Sequence, residues 1–236
     1  MQIYYLKRSI NNFKYYNASF IIQFYSINDT YLFNCFESCQ YVIMKSKFKI
    51  NKISKIILTN LHINNLSGLI GLLSSLNLIG RIDSLHIYGP KDIIYYLDLC
   101  KKYSRTNFNY IIYVHILKTG LIINHCKYRI YSFCYSFQYD FIVIESQKFG
   151  KFFLDKAQKN YLLPSPLYSK LKQGLNFILP DGFTLNGYSF TIFNMIGNQL
   201  IFCFNKYYKR KILENSVNSN IIFYLIIFNL YDLCNY

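Results

Sequence analysis

The fold class that the sequence predicts is mixed α/β: two β-sheets packed face to face with helices on the outside. Three observations predict it. The first forty residues hold short segments rich in aromatic and β-branched residues, separated by Asn- and Ser-containing breaks. The apolar period changes to a helical one at Leu66. From there onward helical stripes and strand-like runs interleave.

Ile3 to Leu6, Ala18 to Phe24 and Thr30 to Cys35 read as the opening strands, and Lys55 to Thr59 as another. Leu66, Leu69, Leu73 and Leu76 then fall on one helical stripe, with Asn65 as the expected N-cap. Leu85 to Tyr88 is strand-like and ends at Gly89-Pro90, where Pro90 suits a helix start. Ile93, Leu97 and Cys100 form the stripe of that helix. Tyr110 to Leu117 and Tyr128 to Ser146 read as β structure, with His125 placed after a turn. Pro180-Asp181-Gly182 is expected to join the two strands of a hairpin, because Pro fixes φ and Gly accepts positive φ. Lys206 to Lys211 is a basic run, and Asn220 to Phe228 reads as a buried strand.

Composition narrows the function classes. With 53% hydrophobic and 16% charged residues, the chain of 236 residues is too apolar for a disordered protein and long enough for a sizeable core. Lys and Arg number 26 against 11 Asp and Glu, a net charge of +15 that points to a polyanionic partner. Part of that charge reflects codon usage: Ile, Asn, Lys, Tyr and Phe abound and Trp is absent, as AT-rich coding dictates. Seven cysteines without a CxxC pair read as reduced thiols. The segment Met1 to Arg8 lacks the apolar stretch of a secretory signal, and the longest apolar run, Ile221 to Phe228, falls short of the roughly 20 residues a bilayer requires. No membrane association is expected.

A series of motifs runs in order along the chain. It opens with Met1-Gln-Ile-Tyr-Tyr-Leu6, then Asn17-Ala18-Ser19, then Leu32-Phe33-Asn34-Cys35-Phe36-Glu37-Ser38-Cys39-Gln40. Gly68-Leu-Ile-Gly-Leu-Leu-Ser-Ser75 and Ile87-Tyr-Gly-Pro90 follow, and later Leu163-Pro-Ser-Pro-Leu-Tyr168, Leu171-Lys-Gln-Gly174 and Leu179-Pro-Asp-Gly182. In these motifs the chain resembles ribonuclease Z, the endonuclease of tRNA 3′ ends. The resemblance implies the αββα four-layer sandwich of the metallo-β-lactamase type, incomplete at its C-terminal edge, as a single domain over 1–236. It also implies a protruding tRNA-binding arm over 148–187.

The chemistry departs from that pattern. The family's metal motif is Thr-His-x-His-x-Asp-His, and this chain reads Thr59-Asn60-Leu61-His62-Ile63-Asn64-Asn65. Imidazoles bind Zn²⁺ at neutral pH, and the carboxylate holds metal and takes a proton from water. An asparagine amide offers a neutral, weak oxygen and no base. Asn60, Asn64 and Asn65 are therefore degenerate positions, with His62 a vestigial metal ligand. The family's further ligand positions align near Ser136, near Asn205 in place of a bridging Asp, and near Leu225-Ile226. Zinc is the family's cofactor, and none is expected here. His62, His86, His115 and His125 read otherwise as satisfied or surface histidines, and Cys35 and Cys39 as buried thiols. Ser136 has no His-Asp partner nearby in sequence, which argues against a serine hydrolase.

The arm keeps its basic residues. Lys151, Lys156, Lys159, Lys170 and Lys172, with Lys148 beside them, are the expected RNA contacts, and Tyr161 and Tyr168 the candidates for base stacking. The expected function is a ribonuclease Z-like protein of tRNA 3′ maturation that does not hydrolyse alone. Its expected partners are a tRNA precursor and a second copy or an intact ribonuclease Z, and its expected place is the plastid stroma. Two alternatives stand beside it: an active zinc endoribonuclease with a rearranged site, drawing on His62, His125 or Cys126, and a decaying reading frame.

Overall fold

The computed structural model describes residues 1–6, 19–24, 29–46, 48–135, 138–146, 150–191, 197–203, 214 and 221–224. Its strands are β1 (Gln2–Tyr5), β2 (Phe20–Phe24), β3 (Asp29–Phe33), β4 (Ile53–Ile57), β5 (Leu85–Gly89), β6 (Ile112–Ile116), β7 (Gly120–His125), β8 (Tyr128–Tyr135), β9 (Gln138–Glu145), β10 (Phe177–Ile178), β11 (Thr184–Leu185), β12 (Gln199–Cys203) and β13 (Ile221–Tyr224). Its helices are α1 (Cys39–Lys45), α2 (Ile63–Leu66), α3 (Leu69–Leu78), α4 (Ile93–Ser104), α5 (Leu154–Lys159) and α6 (Leu167–Lys172). The chain divides into two compact units, one of Met1–Val143 with Gln199–Tyr236 and one of Ile144–Asn198.

The first unit contains both large sheets. One has six strands in the order β1 to β6, antiparallel through β3 and parallel from β3 to β6. The other has the order β13-β12-β9-β8-β7. Alternation sorts the side chains of the first sheet. Ile21, Leu32, Ile56 and Ile87 point to one face, where they meet Leu69, Leu72, Leu73 and Leu76 of α3 and Ile93 and Leu97 of α4. Phe20, Tyr31, Phe33, Ile57 and Tyr88 point to the other, where they meet Ile123, Tyr128, Ile130, Phe141 and Phe202 of the second sheet. Helices, sheet and sheet make three layers of the expected sandwich. The inner layer is aromatic: Phe20 stacks on Phe33 at 4.6 Å and on Phe202 at 4.4 Å, geometries that add to plain area burial.

Two loops are fixed by particular side chains. Arg81 is buried and donates to the carbonyls of Asp83 (2.8 Å), Asn51 (3.0 Å) and Ser84 (2.9 Å), which satisfies the guanidinium and ties the turn after α3 to the start of β4. Gly68 must be glycine because an added Cβ would overlap the Phe36 carbonyl oxygen and lie 2.7 Å from its carbon. The Gly68 N–H meanwhile donates to the Cys35 carbonyl at 2.9 Å.

The second unit has its own small core of Ala157, Leu171, Leu185 and Phe190. β10 and β11 form the hairpin expected at Pro180-Asp181-Gly182, with Gly182 at φ +82. Its two ends are fastened to each other: Glu145 N–H donates to Asn198 O (2.9 Å) and Asn198 Nδ2 to Glu145 Oε2 (3.1 Å). Of the segment 148–187, the described residues 150–187 lie within this unit.

Three sequence expectations are corrected. Asn65 does not cap α3; it lies inside the one-turn helix α2, whose cap is His62, while Gly68 precedes α3. His125 ends β7 and so precedes the Cys126-Lys127 turn rather than following one. β7 itself is an additional strand between the two expected β regions. Ser136, Lys148, Asn205, Leu225-Ile226 and the run Lys206 to Lys211 lie outside the described residues.

Candidate functional site

The segment Thr59 to Asn65 follows the C-terminal end of β4, an interior strand of the sheet, and turns into α2. Its polar side chains bond to one another. Asn65 is buried and its Nδ2 donates to Asn60 Oδ1 at 2.6 Å and to Thr59 Oγ1 at 3.4 Å. Asn60 Oδ1 also accepts from the His62 N–H at 3.2 Å. Thr59 donates through both its backbone N–H (2.9 Å) and its hydroxyl (3.1 Å) to Asn34 Oδ1. Asn34 follows β3 with φ 55, the left-handed region that Asn tolerates better than most residues, and is fully buried. Its N–H donates to Ile57 O at 2.9 Å, and the Cys35 N–H donates to Asn65 O at 2.7 Å. One amide network thus joins the ends of β3, β4 and α2.

His62 is exposed, and its Nδ1 accepts from the Asn64 N–H at 3.3 Å, as a capping group does. Asn64 is exposed as well. The structure places Asn60, His62, Asn64 and Asn65 in one short segment, with Asn34 and Thr59 bonded into it. Among the described residues no group of three or more His, Cys, Asp or Glu is placed to hold a metal ion. Cys35 and Cys39 are both fully buried, and burial, followed by the hydrogen bond between the Cys35 thiol and Cys39, holds the Cys35 thiol well above its ordinary range. The Cys35 sulfur is then no ready metal ligand, since binding requires the thiolate.

The lysines of the second unit divide into two kinds. Lys156 Nζ donates to Ser189 O at 2.8 Å and stands over the Phe190 ring at 5.6 Å, so this lysine is engaged within the unit. Lys151, Lys159, Lys170 and Lys172 are exposed. Lys159, Lys170 and Lys172 also occupy the last turns of α5 and α6, where the helix dipole favours cations. Tyr161 is 95% exposed, the most open aromatic among the described residues of this unit, whereas Tyr168 is half-buried with its hydroxyl donating to Leu162 O at 2.6 Å. No helix among the described residues is long and apolar enough to cross a membrane.

No protein-family model matches the chain. Among individual proteins it is 35% identical over 176 residues to ycf56 of Porphyra purpurea, covering 73% of this chain and 67% of that one. It is 32% identical over 203 residues to the ribonuclease Z of Acaryochloris marina, covering 82% of this chain and 63% of that one. To the ribonuclease Z of Nostoc sp. it is 30% identical, covering 82% and 61%. The chain thus spans less than two thirds of these two ribonuclease Z sequences. Among solved structures, human tRNase Z, short form, superposes with a TM-score of 0.52 at 22% identity, over 61% of this chain and 65% of that one, a likeness of fold. By that sequence similarity and that fold, the chain is a ribonuclease Z-like protein of the metallo-β-lactamase fold and belongs to one family with ycf56 of Porphyra purpurea.

Proposed function

We propose that this chain is a non-hydrolytic member of its family, which holds a tRNA precursor through the basic segment Lys151 to Gly174. It acts alone, as a pair of copies, or beside an intact ribonuclease Z. The observation that carries the reading is the amide network. A dinuclear zinc centre needs lone pairs on imidazoles and a carboxylate converging on the metals. Here Asn65 aims its N–H groups at Asn60 and Thr59, and the Asn60 oxygen already accepts two hydrogen bonds. The His62 Nδ1 lone pair accepts the Asn64 N–H. These side chains do not fit the two zinc ions, and the loop stays shaped by hydrogen bonds where metal coordination would otherwise shape it. Asn205, the degenerate bridging position, belongs to the same reading on sequence grounds.

The tRNA side of the proposal is supported by exposed Lys151, Lys159, Lys170 and Lys172 and exposed Tyr161, and by the relatives that bear the name ribonuclease Z. The plastid interior as the place of action is supported by the AT-biased composition and by ycf56 and cyanobacterial relatives. The test is mobility-shift titration of a 3′-extended tRNA precursor with the purified chain at low salt, beside cleavage with added Zn²⁺ or Mn²⁺. Salt-sensitive binding without cleavage is the expected result. Metal-dependent cleavage would overturn the non-hydrolytic reading in favour of a rebuilt zinc site. Absence of binding would remove the RNA role.

A further inference from the structure

Strands β3 to β6 run parallel, so the connections that lead into β4, β5 and β6 gather at the end of the first unit opposite the Thr59–Asn65 loop. Particular bonds tie these connections together. Arg81 Nη1 reaches Asn51 O ahead of β4, Asn77 Nδ2 donates to Asn107 O at 3.3 Å, and the Asn109 N–H donates to Asn77 Oδ1 at 2.8 Å. α3 closes here in a Schellman motif: the Gly80 N–H bonds to Asn77 O (3.0 Å) and the Arg81 N–H to Leu76 O (3.1 Å), with Gly80 at φ +80. Buried Arg81 then fixes the turn that follows, through the carbonyls of Asp83 and Ser84. The turn is thus held in a shape that leaves its aliphatic side chains bare. Leu78 is 85%, Ile79 51% and Ile82 87% exposed. Ile111, whose carbonyl accepts from the Leu85 N–H, is 62% exposed beside them.

Single exposed aliphatics are ordinary on a protein surface, but several together in a turn fixed by hydrogen bonds mark a contact surface. Cations surround them. Lys49 and Lys52 flank Asn51, and Lys101, Lys102 and Arg105 stand at the end of α4; all five are exposed. Asp83 is the one carboxylate on the connections 46–52, 79–84 and 105–111. We propose that this end of the first unit is a docking surface for an anionic lipid bilayer, with Leu78, Ile79 and Ile82 entering the acyl boundary and the cations lying against the headgroups. Apolar insertion and a basic rim are the two signals whose combination makes such attachment stable. Lys and Arg suit the rim because their stems lie along apolar surface while their charge stays in water. The contact lies on the bilayer and crosses none of it, so it leaves no long apolar run in the sequence. RNA, the other polyanion, fits the cations alone, since bare aliphatic side chains offer phosphates and base edges no hydrogen bond.

The surface belongs to the first unit and the RNA-binding lysines to the second, so either reading can fail without the other. The probe is vesicles of equal parts phosphatidylcholine and phosphatidylglycerol, with pure phosphatidylcholine as the comparison. The chain has no tryptophan, so Ile82→Trp introduces a single fluorescent reporter. Its emission should shift to the blue on the anionic vesicles. Leu163→Trp, at a comparably bare aliphatic of the second unit (82% exposed), should not shift. In co-sedimentation the parent chain should bind the anionic vesicles, and Leu78→Ser and Ile82→Ser should each weaken that binding roughly tenfold, the low end of what burying such a side chain is worth. Lys101→Ala and Lys102→Ala should each weaken it about fivefold, as loss of one cation at an anionic surface does, and added salt should weaken it further. All of these positions are exposed apart from other features, so the variants should fold as the parent does. Failure to bind the anionic vesicles, binding that ignores Leu78→Ser and Ile82→Ser, or a blue shift in Leu163→Trp equal to that in Ile82→Trp would each overturn the proposal.

Discussion

Replacing Asn65 by alanine removes two hydrogen bonds, one of 2.6 Å to Asn60 Oδ1 and one of 3.4 Å to Thr59 Oγ1. Neither partner is orphaned by the change. Asn60 Oδ1 keeps the His62 N–H, and the Thr59 hydroxyl keeps Asn34 Oδ1. The loss is then the net value of the bonds without a desolvation penalty for stranded groups, about 1–2 kcal/mol. For a chain of this size that lowers the melting temperature by roughly 2–8 °C. Asn64 is the matched control. It is exposed, and its backbone N–H rather than its side chain is what the His62 cap accepts from, so Asn64→Ala should fall within about 0.5 kcal/mol of the parent. Urea denaturation followed by far-UV circular dichroism measures both. Equal, small effects of the two substitutions would refute the argument that a buried amide network shapes this loop.

Other expectations follow from single features. Gly68→Ala drives a methyl group into the Phe36 carbonyl, which is backbone and does not yield as a side-chain tip does, so a loss of about 1–3 kcal/mol or more is expected in the same denaturation experiment. Arg81→Lys leaves one donor group for three carbonyls and should cost about 2–3 kcal/mol, read as a lowered urea midpoint. Burial pushes Tyr96 up to about 12 and Tyr110 further still, against an ordinary value of 10. A folded-state value above the unfolded one gives stability that is present below pH 10 and lost as pH rises past it. Phenolate absorbance should therefore include a step that coincides with loss of circular dichroism; completion of the whole titration near pH 10 with the fold intact would contradict the burial of these rings. Replacing Lys170 and Lys172 by alanine should lower RNA affinity without regard to sequence, measured by mobility shift. The slope of log affinity against log salt should fall by about 0.7–0.9 for each phosphate that a lysine no longer neutralises.

The sequence made most of the fold legible because its strands and helices keep clean periods. The stripe Leu69, Leu73, Leu76 is buried as a stripe, and the Pro180-Asp181-Gly182 turn sits where its φ requirements put it. What escaped was set by tertiary context. Asn65 looked like a cap because it precedes a leucine stripe, yet the chain inserts a separate turn of helix and gives the cap to His62. Lys156 looked like its basic neighbours, and only the position of Ser189, 33 residues on, shows that it is engaged. Asn34 and Thr59 as partners of Asn65, and His86 facing His115, depend on strand register, which no local pattern encodes.

The order of the first sheet has a consequence for synthesis. Its six strands lie side by side in chain order, from Gln2 to Ile116, so the whole sheet can assemble as soon as those residues clear the ribosome. Its helix-covered face is complete at that point, because α1 to α4 belong to the same stretch. The opposite face is not. Phe20, Phe33, Ile57 and Tyr88 wait for Tyr128, Ile130 and Phe141, and Phe202 arrives later still. For the time taken to make those residues the nascent chain carries a bare aromatic surface, and that interval is where a chaperone would have to act to keep it from self-association.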